Sequence, residues 1–256
     1  MASVSKLVVA MAIARLDQRG AIDVDGPVPW AEIGILANPG WADVTLRELL
    51  HHTSGFPEAR SSWFTPGADC RGHAQSLVAN GPLASRGERT YSNGNYCLLG
   101  LVVEATTGEA LDVAAQRLVF DPVGVDGVHL SGDALLADDM PHPHGAGVAR
   151  LSRLGGAGTL VVSTDDLAIA VGRLLPADLD VVRFPAVFTD QYGFGHTGTI
   201  DGAKSCVWVI EAGRTVVSAT IAGNALGTGG AVCDAVLPAV ARDLGTSGDG
   251  RPTREP

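Results

Sequence analysis

The chain has 256 residues, 46% of them hydrophobic, enough apolar material for one large domain or two small ones with a true core. Its formal net charge of -10 excludes nucleic acid and anionic membrane surfaces as principal partners, since both demand clustered positive charge, and a small neutral or cationic ligand suits it better. No apolar run approaches the ~20 residues that a membrane span requires.

The first predicted element is a helix over residues 3–19. Nearly every position from 7 to 14 is apolar, so this helix is expected to be buried, with Gly20 as its left-handed cap. The apolar run ending in Ala12-Ile13-Ala14 also has the outline of a secretory signal, but helical spacing continues through Arg15, Leu16 and Arg19 and favours the helix. At its start stands Ser3-Val4-Ser5-Lys6. Residues three apart share a helix face, so Lys6 reaches back to Ser3, and a serine is a good nucleophile only beside a base. The chain holds 2 lysines against 16 arginines, so a lysine at this spacing is not what the composition supplies by habit. Taken alone, the tetrapeptide is a weak signal and reads better as an ordinary helix start with a solvent-facing lysine.

Residues 21–44 contain prolines, glycines, Trp30 and Trp41 with little periodicity and are expected to be irregular, the tryptophans serving as packing. Thr45 with Glu48 forms a capping-box pattern ahead of Leu46, Leu49 and Leu50, marking a short helix that ends before Gly55 and Pro57. Further helices are predicted around 73–79, over 93–106 closed by Gly108, and over 110–120 closed by Pro122 and Gly124. Gly155, Gly156 and Gly158 mark a tight loop, and Ser163 with Asp166 caps a helix to about 175. Residues 204–210 and 214–221, rich in valine, isoleucine and threonine, flank Glu211-Ala212-Gly213 as an antiparallel hairpin. A last helix over 230–244 is expected to lie on the sheet, and the polar tail 246–256 to fray. The order of elements gives an α+β fold, an antiparallel sheet flanked by helices. It is read as a single domain, 1–245, with a helical subdomain over 26–155, the sheet-associated part over 1–25 and 156–245, and a ligand cleft between them.

Cys70, Cys97, Cys206 and Cys233 lack metal-ligand spacing, so buried free thiols are the expectation and disulfides the alternative. His142 and His144, alternating with prolines, have no third ligand, and no metal or other cofactor is expected. Trp63 sits in a loop that would border the cleft.

Tyr91-Ser92-Asn93 at a helix start and His196-Thr197-Gly198 before the hairpin complete an ordered set with the opening motif. In isolation, Tyr91 would simply precede a helix capped by Ser92 or Asn93. Between the motifs lie Leu46-Arg47-Glu48-Leu49-Leu50-His51-His52-Thr53-Ser54-Gly55 and Asn93-Gly94-Asn95-Tyr96-Cys97-Leu98-Leu99-Gly100. Together they resemble the penicillin-recognising serine hydrolases, the superfamily of serine β-lactamases and D-alanyl-D-alanine peptidases, and within it the class C β-lactamase and esterase branch. The resemblance runs from residue 2 to about 244.

The resemblance implies a β-lactamase-like fold and a hydrolase that forms an acyl-enzyme from the amide, lactam or ester carbonyl of a small-molecule or peptide substrate. It implies Ser3 as nucleophile, Lys6 as its base and Tyr91 as the group that passes the proton to the leaving group. Asn93 would orient a substrate amide, and His196 would offer a donor or a positive charge to a substrate carboxylate or to Tyr91. Thr197, Gly198 and Thr199 would form the strand along which substrate lies, and the backbone amides of Ser3 and Thr199 the oxyanion hole. Gly195 and Gly198 are expected to let substrate approach the strand edge, and His51 and His52 to be structural. Members of the superfamily place strands ahead of the nucleophile, whereas this sequence shows none before Ser3, and Tyr192-Gly193-Phe194-Gly195 runs straight into His196. The expectation is that Met1 is internal to a longer protein, with any export signal upstream; as written, the chain is expected to be soluble and cytoplasmic. A truncated, non-catalytic homologue acting as a ligand-binding or interaction protein is the competing expectation.

Overall fold

A helix that is apolar on every face must be covered on every face. α1 (Ser5–Gln18) meets that demand, for no side chain from residue 5 to 14 is exposed. The computed structural model describes residues 1–57, 69–82, 85–130, 152–174, 188–210, 215–223 and 225–245. A 3-10 turn, Ala2–Val4, leads into α1. Beyond the helix, Gly20 takes a φ of 69°, its N–H bonds the Asp17 carbonyl at 2.9 Å, and Ala21 N–H bonds the Leu16 carbonyl at 3.0 Å. These are the paired bonds of a left-handed glycine cap, as the sequence predicts.

Helices wrap the buried one. α2 (Leu46–His51) starts on a complete capping box, Glu48 N–H donating to Thr45 Oγ1 at 3.2 Å and Thr45 N–H to Glu48 Oε2 at 2.8 Å. α3 (Cys70–Val78) and α4 (Asn93–Thr107) follow, α4 capped by Ser92 and closed by Gly108. The helix predicted over 110–120 is α5 (Leu111–Ala115) running on into a wider π turn, Gln116–Phe120. α6 (Thr164–Leu174) is capped as expected, Asp166 N–H donating to Ser163 Oγ at 3.0 Å. No helix among the described residues is long and apolar enough to cross a membrane.

Two short strands, β1 (His129–Leu130) and β2 (Leu160–Val161), pair with each other. The main sheet is antiparallel in chain order, β3 (Phe188–Asp190), β4 (Gly193–Ile200), β5 (Ala203–Ile210) and β6 (Thr215–Ala222), and α7 (Gly229–Asp243) packs on it. The molecule is α+β. Alternation along the strands sorts the side chains. Trp208, Cys206 and Ile210 join Val232, Cys233 and Leu237 of α7 in an outer cluster, while Val207 and Val209 join the main core built on α1. β3 pairs only with residues 193–195 of β4, which leaves the rest of β4 to pack against the Ala2–Val4 turn.

Two expectations need correction. The cysteines are buried, but they are joined as Cys70–Cys97 and Cys206–Cys233, because α3 meets α4, and β5 meets α7, at those residues. Gly195 serves packing, not substrate approach: a side chain there would lie 2.5 Å from the Trp208 ring and strike the Val207 carbonyl. Trp208 is itself fully buried with its indole N–H on Asp190 Oδ1 at 3.1 Å, and Trp41 stacks on Phe56 at 4.3 Å, so these tryptophans are packing groups as expected. Trp63, His142, His144, the 211–213 loop and the 246–256 tail lie outside the described residues.

Gly195→Ala is expected to cost about 2–3 kcal/mol in urea unfolding through overpacking. Gly227→Ala, where nothing lies within 4 Å, should change stability by less than about 0.5 kcal/mol. Matching midpoints for the two would refute the close fit of β4 on Trp208.

Candidate functional site

The first turn of α1 puts Lys6 Nζ 3.2 Å from Ser3 Oγ, as the three-residue spacing predicts. The lysine is completely buried, and its amine also donates to the Ala157 carbonyl at 2.6 Å. Burial strips water from the ammonium and lowers its pKa from 10.5 to about 7. A neutral Lys6 keeps one N–H on Ala157 and turns its lone pair toward the Ser3 hydroxyl, the arrangement of a base beside a nucleophile. Ser3 itself follows a strained residue. Ala2 has a φ of 50°, a left-handed conformation that costs a side-chain-bearing residue about 1 kcal/mol. The neighbouring Met1 carbonyl is anchored by Ser205 Oγ on β5 at 2.8 Å.

Tyr91 is set by His52. Thr90 N–H donates to the His52 carbonyl at 2.8 Å and Ser92 N–H to His52 Nδ1 at 3.2 Å, so hydrogen bonds to one residue bracket the tyrosine, and its ring lies 4.6 Å from the imidazole. His52 occupies the left-handed C-cap of α2. Because Nδ1 accepts from Ser92, the neutral ring carries its proton on Nε2, and burial, with Lys6 second, holds its pKa well below the usual histidine value. Asn95 Nδ2 lies 2.9 Å from His52 Nδ1, and Ser54 Oγ donates to Asn95 Oδ1 at 2.5 Å, which completes a buried polar cluster behind Tyr91. Lys6 Nζ sits 5.0 Å from the Tyr91 ring centre. It is also 5.9 Å from the Tyr96 ring, but that phenol is fully buried, donates to the Leu50 carbonyl at 3.1 Å, and has its pKa raised well above the usual value by burial. Of the two tyrosines, only half-buried Tyr91 is open to a ligand.

β4 supplies the opposite wall. His196 is buried, with Nδ1 2.7 Å from the Thr197 carbonyl; that acceptor fixes the proton on Nδ1 and leaves Nε2 as an acceptor. Burial, then the charge of Lys6, lowers its pKa to about 3. His196 is therefore neutral at pH 7, against the positive charge that is one of the two roles expected of it. Phe188 connects the walls, its ring centre 5.0 Å from His196 and 6.5 Å from Tyr91, with the exposed Arg89 guanidinium 5.2 Å away on its other contact. At Gly198 a side chain would strike Ser205 Oγ and the Met1 carbonyl and come within 3.2 Å of Ala2 Cβ. The glycine thus seats β4 against the nucleophile turn, and it is protein, not substrate, that fills the place of its missing side chain. Thr197 and Thr199 point to the other face, where Thr199 Oγ1 accepts from Gly229 N–H at 2.8 Å.

The contacts therefore bring together Ser3, Lys6, Tyr91 and His196. Asn93 opens α4 two residues after Tyr91 and is half-buried. Ala157, His52, Ser54, Asn95 and Phe188 join the site without having been singled out for it. His52 and Ser54 lie in the histidine-threonine-serine-glycine segment and the glycine pair before Ala157 marks its turn, but nothing in the sequence flags a backbone carbonyl or Phe188. Among the described residues, no three histidine, cysteine, aspartate or glutamate side chains are grouped for a metal ion.

Residues 1–186 match the β-lactamase family. The chain belongs to that family. Within it, esterase EstB of Burkholderia gladioli is 32% identical over 149 residues, covering 49% of this chain and 36% of the esterase. A putative D-alanyl-D-alanine carboxypeptidase of Escherichia coli K12 is 31% identical over 105 residues, 34% of this chain and 24% of that protein. The chain spans about a third of the length of the first curated relatives it matches, 32%, 29% and 36%. The D-amino acid amidase from Ochrobactrum anthropi SV3, in complex with L-phenylalanine amide, shares the fold with a TM-score of 0.74 at 21% identity, covering 95% of this chain and 83% of the amidase.

Between about pH 7 and 10.5 the unfolded chain holds a proton on Lys6 that the folded chain has released, so folding stability rises with pH across that window. Relative to Lys6→Met, wild-type protein should gain on the order of 1 kcal/mol per pH unit there in chemical denaturation. Parallel curves for the two proteins would mean that the buried amine is not depressed.

Proposed function

We propose that the chain is a serine hydrolase that opens an amide, lactam or ester carbonyl through an acyl-enzyme on Ser3. The observation that carries the reading is the desolvated Lys6 amine, its pKa lowered to about 7, 3.2 Å from the Ser3 hydroxyl. In the first step Ser3 Oγ bonds to the carbonyl carbon as its proton passes to Lys6. The tetrahedral oxyanion is held by the backbone N–H groups of Ser3 and Thr199, a pairing supported by the seating of β4 on the Met1 and Ala2 backbone. Collapse breaks the bond to the leaving group, which takes a proton relayed through Tyr91. Water then attacks the acyl carbon, and the proton returns to Ser3 as the acid departs. Asn93 orients the substrate amide at the mouth of the site, and substrate lies along residues 197–199. His196 takes part as an uncharged acceptor at Nε2, toward Tyr91 or a substrate N–H. The names of its relatives, an esterase, a carboxypeptidase and amidases, support a substrate defined by its acyl carbonyl.

Intact-mass measurement after incubation with a fluorophosphonate and a fluorescent β-lactam tests the reading. Wild-type protein should gain one adduct, Ser3→Ala none, and Lys6→Ala should react about 10²–10³-fold more slowly. The wild-type labelling rate should climb with pH through about 7, following the deprotonation of Lys6. Folded protein that accepts neither probe would replace the enzyme with a ligand-binding or interaction protein.

A further inference from the structure

Lys6 is aimed by a turn that is itself wedged in place. Gly155 has φ 50° and ψ -140°, backbone angles closed to other residues, and a side chain there would lie 2.6 Å from Cys70 Sγ and 2.9 Å from Cys70 Cβ. Gly156 presses the other way, with the Tyr96 carbonyl and Gly100 Cα, the latter at 3.1 Å, against the position its side chain would take. Two bare backbone units thus lie flush between the start of α3 and the middle of α4. The Cys70–Cys97 disulfide joins those helices at this place. The Gly155 carbonyl folds the turn over by accepting from Gly158 N–H at 3.1 Å and from the Thr159 N–H and hydroxyl at 3.2 and 2.6 Å. Between them stands Ala157, whose carbonyl receives the Lys6 amine at 2.6 Å. Just beyond, Leu160 N–H donates to Ser5 Oγ at 3.2 Å and ties the turn to the first residue of α1.

We propose that the Cys70–Cys97 disulfide is a positioning brace for Lys6, acting through the 155–157 turn. With the bond broken, α3 and α4 part at Cys70 and Gly155 loses its wall. The Ala157 carbonyl then shifts from the amine, water enters, and Lys6 returns toward an ordinary lysine. Cys206–Cys233 is the built-in comparison. It closes a loop of the same separation, 27 residues, and so contributes similarly to stability, but it lies in the outer cluster with Trp208 and Leu237 on the far side of the sheet.

The effect on rate rests on the serine hydrolase reading; the effect on Lys6 does not. Because the chain has 2 lysines, Lys6 and Lys204, carbon-13 labelling of lysine leaves two side-chain signals to assign by NMR. In Cys70→Ala/Cys97→Ala the Lys6 midpoint should rise by at least one pH unit, and fluorophosphonate labelling of Ser3 at pH 7 should fall about tenfold, its acidic limb moving with the midpoint. In Cys206→Ala/Cys233→Ala the midpoint should stay at the wild-type value in spite of a comparable loss in Tm. Dithiothreitol applied to this second variant, where Cys70–Cys97 alone remains, gives the same comparison without substitution at 70 or 97. The reagent's two thiols close to a ring disulfide as the two cysteines gain its electrons and protons. An unmoved Lys6 midpoint on loss of Cys70–Cys97, or equal shifts in both double variants, would overturn the brace. If Lys6 moves as expected but wild-type Ser3 takes no label, the brace stands and the hydrolase reading fails.

Discussion

The site is organised by the removal of water from one amine. A lysine ammonium in an apolar interior is so costly that the group gives up its proton, and the surroundings of Lys6 leave it little else to do. Its own helix is apolar and buried from residue 7 to 14, the Tyr91 and Tyr96 rings lie near its head, and the Ala157 carbonyl takes one N–H. What is left is a lone pair beside Ser3. The same burial that makes the base makes the native state less favourable at neutral pH than a core with an aliphatic residue in that place, a stability concession of the kind that active sites retain.

Dryness governs the neighbouring histidines too. His52 and His196 are both neutral for the same first reason, loss of solvent, with the Lys6 charge adding to it. They differ in what they offer. His52 accepts at Nδ1 and is absorbed into a buried cluster that fixes Tyr91, while His196 gives its Nδ1 proton to the Thr197 carbonyl and keeps Nε2 as an acceptor. The backbone partner of each ring thus decides its tautomer, and both rings are uncharged at neutral pH. Positive charge stands at the rim, on Arg89 over Phe188.

What the sequence discloses and what it hides divide along range. The caps at Gly20, Thr45 with Glu48, and Ser163 with Asp166 are legible because every partner lies within two turns of its donor, and Lys6 beside Ser3 is legible for the same reason. Gly195 and Gly198 are misread because the atoms they make room for, on Trp208, Ser205 and Met1, arrive from another strand or from the other end of the chain. The cysteine pairing is hidden because spacing does not specify connectivity. The charge of His196 is a property of its burial, which its motif does not encode, and Ala157 contributes only its carbonyl, which every residue has.

The bond from Ser205 to the Met1 carbonyl spans 204 residues, and Gly198 lies against the same backbone. On the ribosome, the serine and its apolar helix are therefore made long before the wall that encloses them. Until residues 93–120 follow it, α1 is a greasy rod without the helices that cover it, dependent on whatever holds nascent protein in solution. Completion of the β4–β5 hairpin is then also the moment at which the site comes into being, so that a chain interrupted before residue 205 lacks the anchor of its nucleophile turn, however well its helices have folded.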